Sequence, residues 1–408
     1  MHINDILKLA IEKDASDIHI KVGSYPYIRV HGELFPLVEM RRLTQEDTLR
    51  MAFDVMSENQ KQKFQKYQEI DIAYSVPGLG RFRVNIFQQR STVGMVLRVI
   101  SFEIQSVREL NLPPVIEKVA LYNRGLILCT GTTGSGKSTT LASMIDHINQ
   151  NRTCHIITIE DPIEFLHRDK KSIINQREVE VDTRSFSVAL RSALRQDPDV
   201  ILVGEMRDYE TIETALTAAE TGHLVLSTLH TMDAMETINR IISVFPPYQQ
   251  KQVRMQLASV LKGVMSMRLM HRADGMGRVP AVEIMISTNF IRDCIINKEK
   301  TRMIMDAIAA GISQYGMQTF DQSLYFLFKK ELITLEEALK GASNPDDFKL
   351  KVQGIESTSS SSQSQMEQSM EDPFSQEASA RQSNYGDGMD GGGPPGSKDS
   401  GGFTFNNQ

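Results

Sequence analysis

The chain has 408 residues, enough for two or three domains, and 40% of them are hydrophobic, as in a soluble globular protein. Its apolar runs are far shorter than the roughly 18 residues of a membrane span, and residues 1–5 lead straight into an amphipathic pattern, so we expect a cytoplasmic protein without signal peptide. The net charge is −6, but residues 354–408 hold eight acidic and two basic residues, which leaves 43 of each sign before them; this balance disfavours a surface built for nucleic acid.

Three cysteines, Cys129, Cys154 and Cys294, lie far apart in the sequence and form no CxxC pair. This spacing is typical neither of a disulfide framework nor of a zinc site. We therefore predict reduced thiols and no zinc.

The first hundred residues predict an α+β domain. Helical periodicity covers residues 5–11, and strand-like alternation covers 17–22, 27–30 and 33–34, with His31 and Gly32 in a tight hairpin between the last two. Residues 44–67 are polar and helical in character. Three more strands are predicted at 69–75, 81–88 and 93–100.

Arg81, Arg83 and Arg98 lie on these predicted strands. At an edge facing a neighbouring subunit, such an arginine could reach that subunit's γ-phosphate. Ordinary solvated strand charges are the alternative, and the sequence leaves both open.

Residues 101–122, with Pro113 and Pro114, predict a connector to a second domain at 123–353. In that domain strands and helices alternate. The strands are predicted at 125–129, 155–159, 200–203 and 224–227, and the helices at 141–145, 184–195 and 209–220. The alternation predicts an α/β fold with a mostly parallel sheet covered by helices on both faces.

The segment at 131–139, GTTGSGKST, has the full Walker A spacing and stands between a predicted buried strand and a helix. Glycines at three positions allow backbone N–H groups to converge on an anion, and the helix start adds its positive dipole end. Lys137 would bind the β- and γ-phosphates, and Ser138 would coordinate Mg²⁺. We predict an ATP site formed by Gly131, Thr132, Thr133, Gly134, Ser135, Gly136, Lys137, Ser138 and Thr139.

Polar side chains follow three of the predicted parallel strands, where the carboxyl ends should meet the phosphates. Glu205 follows an apolar strand and is the candidate Walker B acid, holding Mg²⁺ through water or orienting the attacking water. Glu160, Asp161 and Glu164 form a second acidic cluster, for water activation or metal positioning.

Two histidines, His223 and His230, bracket the third of these strands. His230 could sense the γ-phosphate or pair with the acids, although a structural role at a strand end is also open. Neither histidine has the spacing of a metal site.

Four segments together resemble the signature boxes of the type II/IV secretion ATPase superfamily: 131–138, the acidic box 160–164, Glu205 with its preceding strand, and the histidine box 222–231. Within that superfamily the chain is similar to the retraction ATPases of type IV pili. Further similar stretches lie at 15–19, 80–83, 175–179, 194–199, 245–250 and 316–320. The resemblance extends over about residues 3–350.

The resemblance implies a RecA-like ATPase domain preceded by a PAS-like N-terminal domain. It also implies a homo-oligomeric ring, usually a hexamer, at the cytoplasmic face of the inner membrane, contacting the platform protein of the pilus machine. In such a ring ATP hydrolysis drives removal of pilin from the pilus base. By the same analogy Glu205 is the catalytic glutamate, Glu164 belongs to the acidic box, and Arg81 and Arg83 contact nucleotide.

One stretch departs from the family. Retraction ATPases carry the C-terminal motif AIRNLIRE, whereas residues 290–297 read FIRDCIIN, with Ile296 and Asn297 in place of the second arginine and the glutamate. This departure leaves open an auxiliary paralogue of the retraction ATPase, which would act beside a second such enzyme.

Three other functions are less consistent with the sequence. Assembly ATPases of the superfamily typically carry a four-cysteine zinc motif, which three cysteines cannot build. The presence of both Lys137 and Glu205 disfavours a scaffold that binds nucleotide without hydrolysing it. A DNA translocase is disfavoured because the residues before 354 carry equal numbers of acidic and basic side chains.

Residues 354–408 are rich in Ser, Gly, Gln and acids. Such a composition cannot bury enough apolar surface to offset the entropy of ordering, so we predict a disordered tail. Phe374, Tyr385, Phe403 and Phe405 could anchor a partner, although an inert tail is the alternative.

Overall fold

Six antiparallel strands build the sheet of the N-terminal part, in the order β3-β2-β1-β6-β5-β4. The structure is a computed structural model, and it describes residues 2–30, 32–100 and 103–353. The strands are β1 (Asp17–Ile20), β2 (Tyr27–Val30), β3 (Glu33–Pro36), β4 (Glu69–Val76), β5 (Gly80–Gln89) and β6 (Thr92–Ile100).

Three helices pack with this sheet: α1 (Ile3–Glu12), α2 (Gln45–Val55) and α3 (Glu58–Tyr67). Their apolar side chains and those of the strands share one core. The strand and helix predictions here are confirmed, except that the single helical stretch predicted at 44–67 is two helices. The second helix begins after Ser57, which caps it. The Ser57 hydroxyl accepts the N–H of Gln60, and the Gln60 side chain accepts the N–H of Ser57.

A fourth helix, α4 (Val115–Ala120), lies within the stretch predicted as a connector. Val107, Leu112 and Ile116 in this region are buried against the second sheet. Pro113 and Pro114, part of the predicted connector, directly precede this helix. Proline is tolerated at the start of a helix because the first N–H groups have no intrahelical partner.

The second sheet has seven strands in the order β13-β12-β7-β11-β10-β8-β9, all parallel except the antiparallel pair β12 and β13. They are β7 (Gly125–Thr130), β8 (His155–Glu160), β9 (Ile173–Glu178), β10 (Val200–Val203), β11 (Leu224–Leu229), β12 (Leu261–His271) and β13 (Arg278–Ile286).

Helices cover both faces of this sheet. Along β7, Leu126 and Leu128 belong to one core, whereas Ile127 and Cys129 belong to the core on the opposite face. The helices are α5 (Lys137–Asn151), α6 (Phe186–Ala193), α7 (Tyr209–Glu220), α8 (Ala234–Ser243), α9 (Gln250–Val260), α10 (Asn289–Ile296), α11 (Ile304–Ala310), α12 (Ile312–Tyr315), α13 (Phe320–Lys329), α14 (Leu335–Gly341) and α15 (Pro345–Val352), with a 3-10 helix at Lys298–Met303. The predicted α/β fold, a mostly parallel sheet with helices on both faces, is confirmed.

Three further observations bear on the sequence-based expectations. All three cysteines are free thiols. Within the described ranges, none of the helices combines the length and the apolar character needed to cross a membrane. The predicted hairpin residue His31 and the predicted tail at 354–408 lie outside the described residues.

Candidate active site

The glycine loop between β7 and α5 has the backbone shape of a phosphate cradle. Gly131, Gly134 and Gly136 have φ angles of 138°, 77° and 98°, in the left-handed region that glycine alone adopts readily. A Cβ atom on Gly131 would lie 2.6 Å from the carbonyl oxygen of Met267 in β12. The hydroxyl of Ser135 is buried without a hydrogen-bond partner among the described residues, as expected of a group that meets a ligand.

Lys137 is the first residue of α5 and is 8% exposed. Its ammonium donates to the carbonyl oxygens of Gly131, at 2.9 Å, and Thr132, at 2.8 Å. Burial lowers the pKa of Lys137, while the negative charges of Glu205 and Glu164 act to raise it. The predicted phosphate-binding lysine and the two predicted catalytic acids therefore share one electrostatic environment.

Glu205 lies just beyond the carboxyl end of β10, and its side chain is 17% exposed. Its Oε1 atom lies 2.5 Å from Nε of Arg207 and 3.3 Å from Nε2 of His230, the residue that follows β11. The hydrogen bond to Glu205 raises the pKa of Arg207. His230, which the sequence predicted could pair with the acids, therefore lies beside one of them, Glu205.

Glu160 ends β8 and begins the acidic box. Its Oε1 accepts the hydroxyl of Thr158 at 2.6 Å and the amide of Gln176 at 3.1 Å, and burial raises its pKa. The peptide between Asp161 and Pro162 is cis. Glu160 is half-buried, whereas Asp161 and Glu164 are exposed, so the acids of the box lie in different surroundings.

A cleft of about 480 Å³ joins these groups. It is lined by most of the predicted site residues: Thr133, Gly134, Gly136, Lys137, Ser138, Thr139, Glu160, Asp161, Glu164, Glu205 and His230. Parallel strands β7, β11, β10 and β8 are neighbours, so their carboxyl ends bring all four sequence boxes to one edge of the sheet. Gly131, Thr132 and Ser135 belong to the same loop but are not among the lining residues.

The two predicted N-terminal arginines stand in different surroundings. Arg81 donates from Nη2 to Oε2 of Glu178 at 2.8 Å, and its side chain is 18% exposed. Arg83 is exposed on β5. Arg98, the third arginine of these strands, pairs with Asp17 at 2.8 Å.

Several residues at the site were not singled out by the sequence analysis. Arg207 pairs with Glu205, and Gln176 holds the acidic box through Glu160, the carbonyl of Phe165 and the N–H of His167. Gln176 comes from β9, a strand whose sequence, IINQRE, lacks clear alternation. The position of Arg207, two residues after the candidate Walker B acid, is the sequence feature that could have identified it as a site residue.

A mostly parallel sheet with a glycine loop leading into a helix, and with an acid at the end of another strand of the same sheet, defines a P-loop nucleoside triphosphatase. More narrowly, the chain belongs to the type II/IV secretion system protein family, whose model matches residues 1–318. The family assignment made from the four sequence boxes is confirmed.

Two curated relatives and one solved structure are similar over most of their length. The chain is 47% identical to the type IV pilus retraction ATPase PilT of Pseudomonas aeruginosa, over 85% of this chain and 100% of the relative. It is 43% identical to the type IV pilus ATPase PilU of the same organism, over 86% of this chain and 91% of the relative. A crystal structure of the pilus retraction motor PilT with bound ADP matches with a TM-score of 0.78 and 49% identity, covering 85% of this chain and 98% of that one.

Proposed function

We propose that this chain is an ATP-hydrolysing motor that powers retraction of a type IV pilus and hence twitching motility. One observation carries the proposal: Lys137 of the glycine loop and Glu205, just beyond the end of β10, line the same cleft. The similarity to a type IV pilus retraction ATPase, over the whole length of that relative, supports pilus retraction as the work that ATP hydrolysis drives.

In this proposal Lys137 binds the phosphates and Glu205 orients the attacking water. The oxygen atoms of Ser138 and of the acidic side chains in the cleft are the ligand type that Mg²⁺ prefers, so the residues fit that ion. Bound there, Mg²⁺ would neutralise charge on the transferred phosphoryl group.

The assembly is proposed to be a homo-oligomeric ring, most simply a hexamer, with ATP between subunits. It would work at the cytoplasmic face of the inner membrane against the platform protein of the pilus machine. Arg81 and Arg83 are the residues of the N-terminal domain that are predicted to contact nucleotide. Of the two, Arg83 is exposed in the single chain.

Glu205→Gln tests the chemical step. The amide keeps the shape of the side chain but cannot accept a proton, so we expect ATP binding to persist while phosphate release falls by about 100-fold or more. Glu213→Gln, on α7 and outside the cleft lining, is the matched control and should turn over normally. Unchanged phosphate release in Glu205→Gln would contradict the assignment.

A second candidate is an auxiliary retraction ATPase that acts beside a paralogue. Two observations favour it: the PilU relative is nearly as similar as PilT, and Ile296, where the family motif has arginine, exposes 44% of its surface at the end of α10. At this exposed position Ile296 would make an apolar contact where the arginine of the family motif would make a charged one.

Gene deletion separates the candidates. Loss of an autonomous retraction motor should leave cells that carry many pili and do not twitch, whereas loss of an assembly ATPase should leave cells without pili. Restoring this gene alone to a strain that lacks both it and its paralogue distinguishes the motor, which should recover twitching, from the auxiliary enzyme, which should not.

A further inference from the structure

Arg81 and Glu178 form an ion pair between the two sheets. Arg81 lies on β5 of the N-terminal sheet and Glu178 ends β9 of the second sheet, with Nη2 and Oε2 2.8 Å apart. The side chains are 18% and 6% exposed. Removing one partner of a buried ion pair leaves an uncompensated charge, so such a contact resists separation.

The same oxygen of Glu178 reaches the acidic box. Oε2 accepts the backbone N–H of Ile163 at 3.2 Å, and Ile163 stands between Pro162 and Glu164, which both line the cleft. One carboxylate oxygen thus bonds an N-terminal arginine and the segment that carries a predicted catalytic acid.

The backbone of Glu178 is itself fixed. It pairs in register with Glu160 across β8 and β9, its N–H donates to Oδ2 of Asp182 at 2.8 Å, and its carbonyl accepts the N–H of Asp182 at 2.8 Å. The carboxylate is therefore presented from a strand end whose backbone is held by hydrogen bonds.

We propose that Glu178 is a positioning residue that joins β5 of the N-terminal domain to the acidic box, so that the placement of Arg81 sets the placement of Glu164. The inference rests on the proposed ATP hydrolysis. It assigns Arg81 an action within its own chain, through Glu178, and leaves contact with a neighbour's phosphates to the exposed Arg83.

A double-mutant cycle tests the coupling. Glu178→Gln removes the charge that holds Arg81 but keeps an oxygen for the N–H of Ile163, and Arg81→Ala removes the cation. Each change should lower kcat by about tenfold and leave KM within about twofold, because the acidic box is displaced while phosphate binding persists. The double variant should be no slower than the slower single variant, since both changes break one connection.

Glu337→Gln is the matched control. Glu337 likewise accepts a backbone N–H, that of His271, and pairs with a cation, Lys340, but it lies outside the cleft lining. Its removal should leave kcat unchanged. Losses in the cycle that multiply, to about 100-fold in the double variant, would show that Arg81 and Glu178 act separately and would overturn the inference.

Hydrogen exchange gives a readout that needs no ATP hydrolysis. In full-length Arg81→Ala, amides of residues 160–166 should exchange about tenfold faster, while the interior of α5 keeps its protection. Unchanged exchange at 160–166 overturns the inference whatever the kinetics. Wild-type protein that releases no phosphate would instead refute the proposed function, and the exchange result would still decide the role of Glu178.

Discussion

Glu283 is a fully buried carboxylate on β13 and is not among the residues that line the cleft. Its Oε1 accepts the N–H of Ala234 at the start of α8, at 2.9 Å, and its Oε2 has no partner among the described residues. Burial, together with the charge of Asp233, raises its pKa to about 7, against the opposing effects of the Ala234 N–H, Arg268 and Ser266.

A pH dependence of stability follows from this carboxylate. Because the folded protein holds the proton more tightly than the unfolded chain, the contribution is present at about pH 4 and is lost as the pH rises through about 7. One pKa unit corresponds to about 1.4 kcal/mol, so we expect unfolding free energy to fall by on the order of 2 kcal/mol from this group between about pH 5 and pH 8.

Denaturant titrations of wild type and Glu283→Gln measure the effect. The unfolding free energy of Glu283→Gln should lack the fall that the Glu283 carboxylate causes as the pH rises. Glu337→Gln is the control, because the pKa of Glu337 is lowered, chiefly by the N–H of His271, and its contribution changes only at acid pH. Parallel wild-type and Glu283→Gln profiles across this range would contradict the raised pKa.

We expect Arg207 to hold the orientation of the predicted catalytic acid, with which it forms an ion pair. Its Nε lies 2.5 Å from Glu205, while most of its own side chain, 76%, is exposed. Removing it in Arg207→Ala leaves the Glu205 carboxylate with more rotamers, so we expect kcat to fall by about three- to tenfold with little change in KM.

Steady-state phosphate release checks the role of Arg207. Arg207→Lys, which keeps the charge, should recover part of the activity. Arg240→Ala, which removes an exposed arginine from the neighbouring helix α8, is the control. Equal kcat values for Arg207→Ala and wild type would show that Glu205 needs no such partner.

At the scale of elements, the glycine loop depends on β12 as its support. Met267 in β12 places its carbonyl against Gly131 and its sulfur near Cys129, at 3.4 Å, and Thr140, at 3.2 Å. β12 is the parallel neighbour of β7, so the loop is held from outside its own βα unit.

Gly131→Ala should disturb this support. The added Cβ would meet the Met267 carbonyl at 2.6 Å, at a φ of 138° that alanine rarely adopts. We expect a loss of roughly 1–3 kcal/mol in unfolding free energy and at least about tenfold weaker ATP binding, measured by denaturant titration and calorimetry. Gly134→Ala, where nothing lies within 4 Å of the added atom, separates backbone strain from the clash and should be the milder variant. Equal losses in the two variants would remove the contact with β12 as the cause.

The elements nearest the chemistry could be predicted because their signals are local. Glycine spacing defines the loop, and β10 and β11 are short apolar runs that end in Glu205 and His230. β9 could not be recognised, because IINQRE has no regular alternation and lies at the sheet edge. The break between α2 and α3 had a local signal, the capping pair of Ser57 and Gln60, which was overlooked.

At the scale of the whole molecule, the sequence could name Arg81 but not its partner. Glu178 lies 97 positions further along the chain, and only the packing of β5 against the end of β9 brings the two together. The same holds for Glu283 and Ala234, 49 positions apart. Motifs identify residue types with a chemical task, whereas contacts between distant segments depend on the complete fold.

Mixing variants that are each impaired in phosphate release tests whether the site is shared between subunits. If Arg83 serves a neighbour, a mixture of Lys137→Ala and Arg83→Ala should regain part of the wild-type phosphate release, because some interfaces then combine an intact lysine with an intact arginine. Lys137→Ala mixed with Arg81→Ala should regain none if Arg81 acts through Glu178 in its own chain. Recovery in the second mixture and not in the first would reverse the two assignments.

The ammonium of Lys137 is already bonded to two carbonyl oxygens of its own loop. A ligand can draw it away only by offering an oxyanion that replaces both acceptors, and in a P-loop the β-phosphate supplies that oxyanion. A nucleoside monophosphate brings no group to that point, so the lysine stays on the loop and the ligand gains no charge-assisted bond. We therefore expect the loop to select nucleotides by the length of their phosphate chain, so that AMP competes poorly with ADP.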